Sequence, residues 1–220
     1  MFQRYAEPVV IATLILLGGC GMMSTRDGGS VPSSPSDASV PNQTIKESDG
    51  VSQVAAPPEA ARQFEAAVAM LSAGNTAGAE SEFRALAAAY PTFAAPLVNL
   101  AILQVKAGQL DAAEKTLKDA TARNADSAPA FNQLGIVYRH LGRFKEADDA
   151  YQRALALDAN YASAWLNLGV LCDLYLQQPQ RALEAYERYL SLAAAPDAKV
   201  SGWVTELKAR LGAGRSARAE

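Results

Sequence analysis

The chain has few of the side chains that usually carry out chemistry. Its 220 residues include one histidine and two cysteines, and its formal net charge is only −3. So small a charge does not favour nucleic-acid binding, which needs a strongly basic surface. Cys20 and Cys172 stand in very different sequence surroundings, so the sequence indicates no disulfide framework.

Candidate catalytic and metal-binding positions are also scarce. His140 has no acidic residue or second histidine at ligand spacing, which argues against a metal site. The glycines are scattered and form no phosphate-binding loop. Cys172 falls on the apolar face of a predicted helix, where a buried small side chain is expected. We therefore predict no catalytic residue, metal, cofactor or small-molecule substrate, and we regard an enzyme or a metal carrier as the least favoured function.

The N-terminal residues are typical of a processing signal. Residues 9–17 form an apolar run of nine residues, which is short of the ~20 residues that span a bilayer but usual for the core of a signal peptide. The run ends in Leu17-Gly18-Gly19-Cys20, which resembles the lipobox of bacterial lipoproteins. That resemblance implies a lipoprotein signal peptide over residues 1–19 and a lipid on Cys20.

By the same resemblance the mature chain begins at Cys20 and is attached to a membrane by more than one acyl chain, which makes anchoring stable. Gly21, rather than Asp, follows the cysteine, as in the outer-membrane sorting pattern of enterobacterial lipoproteins. We therefore expect an outer-membrane lipoprotein that faces the periplasm. An uncleaved short anchor or an ordinary secretory signal is the alternative interpretation.

A flexible segment is predicted next. Residues 21–56 contain no aromatic side chain and are rich in Ser, Pro, Gly and Asp. Such a composition cannot bury enough apolar surface to offset its conformational entropy. We predict that residues 20–56 form a lipidated cysteine and a disordered tether, whose mean reach is roughly 35 Å. This length would hold a folded body away from the membrane.

The rest of the chain repeats with a period of 34 residues. Residues 128–161 and 162–196 share an aromatic residue, a Leu-Gly pair and small residues in a second helix. The matching positions are Phe131 and Trp165, Leu134 and Leu168, and Gly135 and Gly169. Residues 60–93 and 94–127 match more weakly. Because one such unit cannot bury its own apolar face, the four units must stack.

This pattern closely resembles the tetratricopeptide repeat family. The resemblance implies an all-α, right-handed solenoid of four helix–turn–helix repeats within residues 57–211. An amphipathic segment at 197–211 predicts a capping helix, and residues 212–220 are expected to be a disordered tail. The fourth unit lacks the turn glycine and has one additional residue before Pro179, which predicts a longer turn there.

In this family the first helix of each repeat lines a concave face, which implies a peptide-binding groove. Its wall is mostly apolar, and its positions recur every 34 residues. The rows are Val68, Ile102, Ile136 and Val170; Phe64, Val98, Asn132 and Leu166; and Leu71, Val105, Arg139 and Asp173, with Lys106 and His140 as further polar groups. The alternative interpretation is that the β-branched row only packs between neighbouring first helices.

The resemblance implies a non-enzymatic scaffold that binds a protein or peptide partner in the bacterial cell envelope. Pilus-assembly lipoproteins of type IV and tight-adherence systems are similar members of the family, so pilus assembly is the expected setting. An adaptor for peptidoglycan-processing enzymes is the alternative. The lipid on Cys20 would be the contact with the membrane.

Overall fold

The computed structural model describes residues 56–216, with side chains described as far as Gly212. The predicted signal peptide, Cys20 and the tether up to residue 55 lie outside the described residues, as do residues 217–220. Within the described range α-helix is the only regular secondary structure, and turns join the helices. They are α1 (Pro58–Ser72), α2 (Thr76–Ala89), α3 (Ala95–Lys106), α4 (Leu110–Arg123), α5 (Ala128–His140), α6 (Phe144–Leu157), α7 (Ala162–Leu174), α8 (Pro179–Leu192) and α9 (Ala198–Ser216).

The helices stack in consecutive pairs. α1 packs on α2, α3 on α4, α5 on α6 and α7 on α8, and the second helix of each pair also packs on the first helix of the next. Neighbouring first helices meet directly at α3–α5 and at α5–α7. The prediction of an all-α stack of four helix–turn–helix units is therefore confirmed.

Glycine ends the first helix in three of the four repeats. Gly74, Gly108 and Gly142 have φ angles of 81°, 73° and 74°, in the left-handed region that suits a residue without a Cβ. The fourth turn is longer by one residue, as predicted, because α7 ends at Leu174 and α8 begins at Pro179. There Gln177 adopts φ 53°, at a backbone cost of about 1–2 kcal/mol for a residue with a Cβ.

Small residues allow the paired helices of the third and fourth repeats to approach closely. A Cβ added at Gly135 would overlap the ring of Tyr151, and one added at Gly169 would lie 2.5 Å from Tyr186 Cδ1. Both tyrosine rings are fully buried. The space that a methyl group would occupy is therefore filled by an aromatic ring from the second helix.

The last helix, α9, closes the C-terminal end of the stack. Val200, Trp203 and Leu207 are buried, and the Trp203 ring lies 5.4 Å from the ring of Tyr186 on α8. Asp197 caps the helix by accepting a hydrogen bond from the backbone N–H of Val200 at 3.0 Å. The predicted capping helix is confirmed.

One predicted boundary is wrong. Helix α9 continues to Ser216, whereas the sequence analysis ended it at Leu211 and expected disorder from residue 212. Residues 212–216 contain two glycines but no proline. A glycine costs only about 1 kcal/mol relative to alanine inside a helix, so glycines alone do not stop one.

Candidate protein-interaction surface

The β-branched row predicted to form a groove wall is buried. Val68, Ile102, Ile136 and Val170 are 9%, 1%, 3% and 0% exposed. Ile102 belongs to the same apolar cluster as Leu117. The structure therefore contradicts an exposed groove wall at Ile102, Ile136 and Val170, because side chains that pack in the core have no free surface to offer. It favours the alternative interpretation, in which this row packs within the array.

The second predicted row is also buried. Val98 and Leu166 are 1% and 8% exposed, and the ring of Phe64 lies 5.3 Å from that of Phe93. Asn132 accepts a hydrogen bond from Asn167 Nδ2 at 3.0 Å, which joins α5 to α7. The residues of this row therefore pack in the core or join two repeats, and they do not line a ligand groove.

The polar residues predicted for the groove do not form one group. Lys106 and His140 are exposed, whereas Arg139 is buried. The Asp173 carboxylate is 5% exposed and lies 2.7 Å from Arg210 Nη2 on α9, so it ties the capping helix to the fourth repeat. Sequence reasoning missed this pair because its two residues are 37 positions apart and no local pattern links them.

An open cleft lies between the ends of α1 and α3. Its volume is about 480 Å³, and it is lined by Val68, Leu71, Ser72, Thr76, Leu103, Lys106 and Ala107. We call it the α1–α3 cleft. The cleft is open because α1 and α3 approach each other less closely than α3 and α5 do.

The α1–α3 cleft contains part of the predicted site. It brings together Val68, Leu71 and Lys106 from the predicted rows. Leu103 was missed by the sequence analysis: its counterparts one and two repeats later, Val137 and Leu171, are fully buried, whereas Leu103 is 8% exposed. Nothing in the local sequence distinguishes it from them.

Lys106 is the one charged residue among those that line the cleft. Among the described residues, the ion pairs of the structure use other cations. The Lys106 ammonium lies in the last turn of α3, where the helix dipole favours a positive charge. The cleft therefore combines an apolar wall with the hydroxyl groups of Ser72 and Thr76 and one exposed ammonium group.

Other cations hold adjacent repeats together. Arg143 Nη1 lies 2.7 Å from Glu114 Oε2, and Arg181 Nη2 lies 2.7 Å from Asp148 Oδ1, each pair joining two repeats. A hydrogen bond from Lys118, with a further one from Arg143, keeps the pKa of Glu114 below its ordinary value despite partial burial. These charges stabilise the stack and are not available to a ligand.

The described residues offer little else for chemistry. Burial raises the pKa of Cys172 to about 11, so its thiol stays protonated at neutral pH, and the side chain is fully buried, as predicted. Across residues 56–216 no group of three or more His, Cys, Asp or Glu side chains could hold a metal ion. Nor is any helix in that range long and apolar enough to cross a bilayer.

Two tetratricopeptide repeat family models match the chain, one over residues 70–134 and the other over residues 126–195. The two matches overlap at residues 126–134 and together cover residues 70–195, from the end of α1 to the end of α8. The chain belongs to the tetratricopeptide repeat (TPR) family. Members of this family are generally non-enzymatic scaffolds that bind protein or peptide partners, and no curated protein matches this TPR chain in sequence.

Solved structures show the same fold. PilF of Pseudomonas aeruginosa is 22% identical, with a TM-score of 0.62 over 73% of this chain and 72% of PilF. A TPR protein of Thermus thermophilus is 21% identical, with a TM-score of 0.57 over 70% of this chain and 83% of that protein. The first TPR of RPAP3, solved with a bound HSP90 peptide, is 21% identical, with a TM-score of 0.50 over 54% of this chain and 93% of that one. At these identities the similarity shows the fold alone.

Proposed function

We propose that this TPR protein is a lipid-anchored scaffold of the bacterial envelope that holds a protein or peptide partner at the α1–α3 cleft. The observation that carries the proposal is the cleft itself, an open apolar site of about 480 Å³ with an exposed ammonium group. Its volume falls within the ~300–1,000 Å³ of typical ligand sites. We propose binding rather than catalysis, because members of the TPR family are generally non-enzymatic scaffolds.

The envelope setting rests on the N-terminal sequence. The lipobox-like Leu17-Gly18-Gly19-Cys20 is separated from α1 by a stretch rich in Ser, Pro, Gly and Asp. A body tethered in this way would keep its cleft free to meet partners in the periplasm. Pilus assembly is the process we propose, supported by the shared fold with PilF.

The lipid anchor is tested by membrane fractionation of cells that produce the Cys20→Ala variant. We expect the variant to leave the membrane fraction, because the thiol that takes the lipid is gone. Cys172→Ala is the matched control and should stay with the membrane, since Cys172 is buried in the folded body. Continued membrane association of the Cys20→Ala variant would refute the anchor.

Binding at the cleft is tested with the double variant Leu71→Gln/Lys106→Glu, which changes its apolar and charged groups together. Lys115→Glu, on the exposed face of α4, is the charge-matched control. A true partner should be recovered from solubilised envelopes with the wild type and the control but not with the cleft variant. If all three recover the same proteins in the same amounts, the cleft is not the binding site.

Ile102→Gln and Ile136→Gln are unsuitable for this test, although the sequence analysis placed both residues in the groove. Both side chains are at least 97% buried, so a glutamine there would bury an amide and destabilise the fold. Loss of capture by such variants would not distinguish binding from unfolding. Leu71 and Lys106 avoid this difficulty because both have exposed surface.

The role in pilus assembly is tested in a strain that lacks the gene and carries either the wild type or the cleft variant. We expect the wild type to restore surface pili, counted by electron microscopy, and the cleft variant to fail. Normal pili in the deletion strain would refute the pilus role. Recovery of peptidoglycan-processing enzymes as cleft-dependent partners would instead support the adaptor function.

A further inference from the structure

We propose that the α1–α3 cleft selects a peptide segment of a separate protein in which an aliphatic side chain lies next to a carboxylate. This inference rests on the proposed function, because it names the chemistry of the partner that the scaffold holds. It goes further by making the cleft selective for both the apolar group and the sign of the charge.

The apolar part of the cleft depends mainly on Leu71, which is partly exposed. Val68 and Leu103 line the same cleft but are nearly buried, at 9% and 8% exposed. An aliphatic side chain inserted among them would displace water from apolar surface on both molecules, which is favourable at about 25 cal/mol per Å². A polar side chain would gain less there, because the described lining offers it few partners besides the hydroxyls of Ser72 and Thr76.

The charged part of the cleft is Lys106. Among the described residues no carboxylate lines the cleft, so an acidic group of the ligand would meet the ammonium without competition from them. A basic group would face a like charge beside an apolar wall, which is unfavourable. The ligand's apolar and acidic groups must lie close together, because Leu103 and Lys106 are separated by one turn of the same helix.

The position of this cation is particular to the second repeat. The residues that correspond to Lys106 in the third and fourth repeats are His140 and Leu174. Neither is a lysine or an arginine. The structure thus places a combined apolar and cationic site at the junction of the first two repeats.

The test is an NMR titration of the purified, isotope-labelled chain with four capped hexapeptides. The first contains adjacent leucine and glutamate between glycine and serine residues. In the other three, leucine is replaced by serine, or glutamate by glutamine or by lysine. We expect the backbone amide signals of Leu71, Ser72, Lys106 and Ala107 to shift saturably. The leucine–glutamate peptide should bind at least tenfold more tightly than the peptides with serine or lysine.

Charge selectivity is tested separately with Lys106→Glu. The Lys106 side chain is exposed, so the variant should still fold, although a carboxylate in the last turn of α3 opposes the helix dipole. In this variant the lysine peptide should bind more tightly than the glutamate peptide. The serine peptide should still bind more weakly than the peptides that contain leucine. Equal affinity for all four peptides, no binding, or shifts confined to another surface would overturn the proposal. If the peptides fail to bind while Leu71→Gln/Lys106→Glu still loses its partner, the ligand chemistry is wrong but the scaffold function stands.

A segment of the same chain is the competing occupant, because Ile45 and Glu47 carry the same chemistry. The variant Ile45→Ser/Glu47→Gln distinguishes the two sources. Without added peptide, its signals for Leu71 and Lys106 should match those of the wild type. If those signals move and the leucine–glutamate peptide binds more tightly to the variant, the chain's own segment occupies the cleft and a separate partner is ruled out as its ligand.

Discussion

The N-terminal half of the array (α1–α4) and the C-terminal half (α5–α9) fill the same packing position with different pairs of residues. In the C-terminal half a glycine lies against a tyrosine ring, as at Gly135 and Tyr151. In the second repeat the equivalent positions hold Ala101 with Leu117, and in the first repeat they hold Ala67 with Phe83, all fully buried. In the second repeat the smaller side chain of the second helix leaves room for the methyl group of the first helix. The weaker match of the second repeat to the family pattern is therefore a compensated packing arrangement.

The two halves also differ in how firmly their first helices are joined. In the C-terminal half, the Asn132–Asn167 hydrogen bond links α5 to α7, and the Arg210–Asp173 ion pair links α9 to α7. In the N-terminal half, the α1–α3 cleft lies between the corresponding helices. The looser contact between α1 and α3 leaves Leu71 partly exposed at the cleft.

Replacing Tyr186 with alanine is expected to have the largest effect and to destabilise the C-terminal half selectively. The buried ring contacts Trp203, and removing it should cost about 3–5 kcal/mol. Both tryptophans, Trp165 and Trp203, lie in the C-terminal half. Tryptophan fluorescence during urea unfolding therefore reports that half, whereas circular dichroism reports all helices.

Phe83→Ala is the matched control in the N-terminal half, since Phe83 is also fully buried. It should lower the urea midpoint measured by circular dichroism and leave the fluorescence midpoint nearly unchanged, because repeats contact only their neighbours. Identical shifts of both signals in both variants would show that the halves unfold as one unit.

Exchanging one packing pair for the other should have an intermediate effect. Gly135→Ala alone is expected to cost about 1–3 kcal/mol, because the new methyl group overlaps the ring of Tyr151. The double variant Gly135→Ala/Tyr151→Leu reproduces the Ala101–Leu117 pair of the second repeat. In urea unfolding, the loss of stability in the double variant should be smaller than the sum of the losses in the two single variants by at least about 1 kcal/mol. Simple additivity would contradict the idea of compensated pairs.

Substitutions in the turns of the two halves should have smaller effects on stability. Gln177→Gly should raise stability by about 0.5–1 kcal/mol, because relief of the left-handed strain at φ 53° exceeds the added entropy of the unfolded chain. Gly108→Ala, at φ 73° with no atom near the added Cβ, should lower stability by about 1 kcal/mol. Opposite shifts in Tm of a few degrees are expected, and shifts of the same sign would refute this account.

The smallest effect concerns the pH dependence of the Glu114 interaction. The lowered pKa of this carboxyl, caused first by Lys118 and then by Arg143, stabilises the fold at pH values above its ordinary pKa of about 4.5. This contribution is lost as the pH falls through the lower pKa of the folded state. Glu114→Gln should therefore cost less than about 1 kcal/mol at pH 7.

The difference between wild type and Glu114→Gln should shrink towards pH 3, as followed by urea unfolding. Asp111→Asn, an exposed change in the first turn of the same helix, controls for a general loss of negative charge. A difference that grows on acidification would mean that the carboxyl is not stabilised in the folded state.

Residues 57–211 could be assigned their helices, turns and capping helix from the sequence, because the signals for them are local. A turn glycine such as Gly108 acts through its own φ angle. The 34-residue period spans one helix pair and repeats from each pair to the next. The longer fourth turn was also predictable from the additional residue before Pro179. The end of α9 was not, because glycine only weakens a helix and nothing nearby forbids one.

Only the tertiary structure decided which residues of the predicted groove rows are exposed. Ile102 and Leu71 recur with the same period and look equally suited to a groove, yet one is 1% exposed and the other lines the cleft. Exposure depends on how closely α1, α3 and α5 approach one another, and that spacing follows from the packing of many side chains. The sequence by itself determined a stack of helix pairs. The position of the α1–α3 cleft was decided by the distances between those pairs in the tertiary structure.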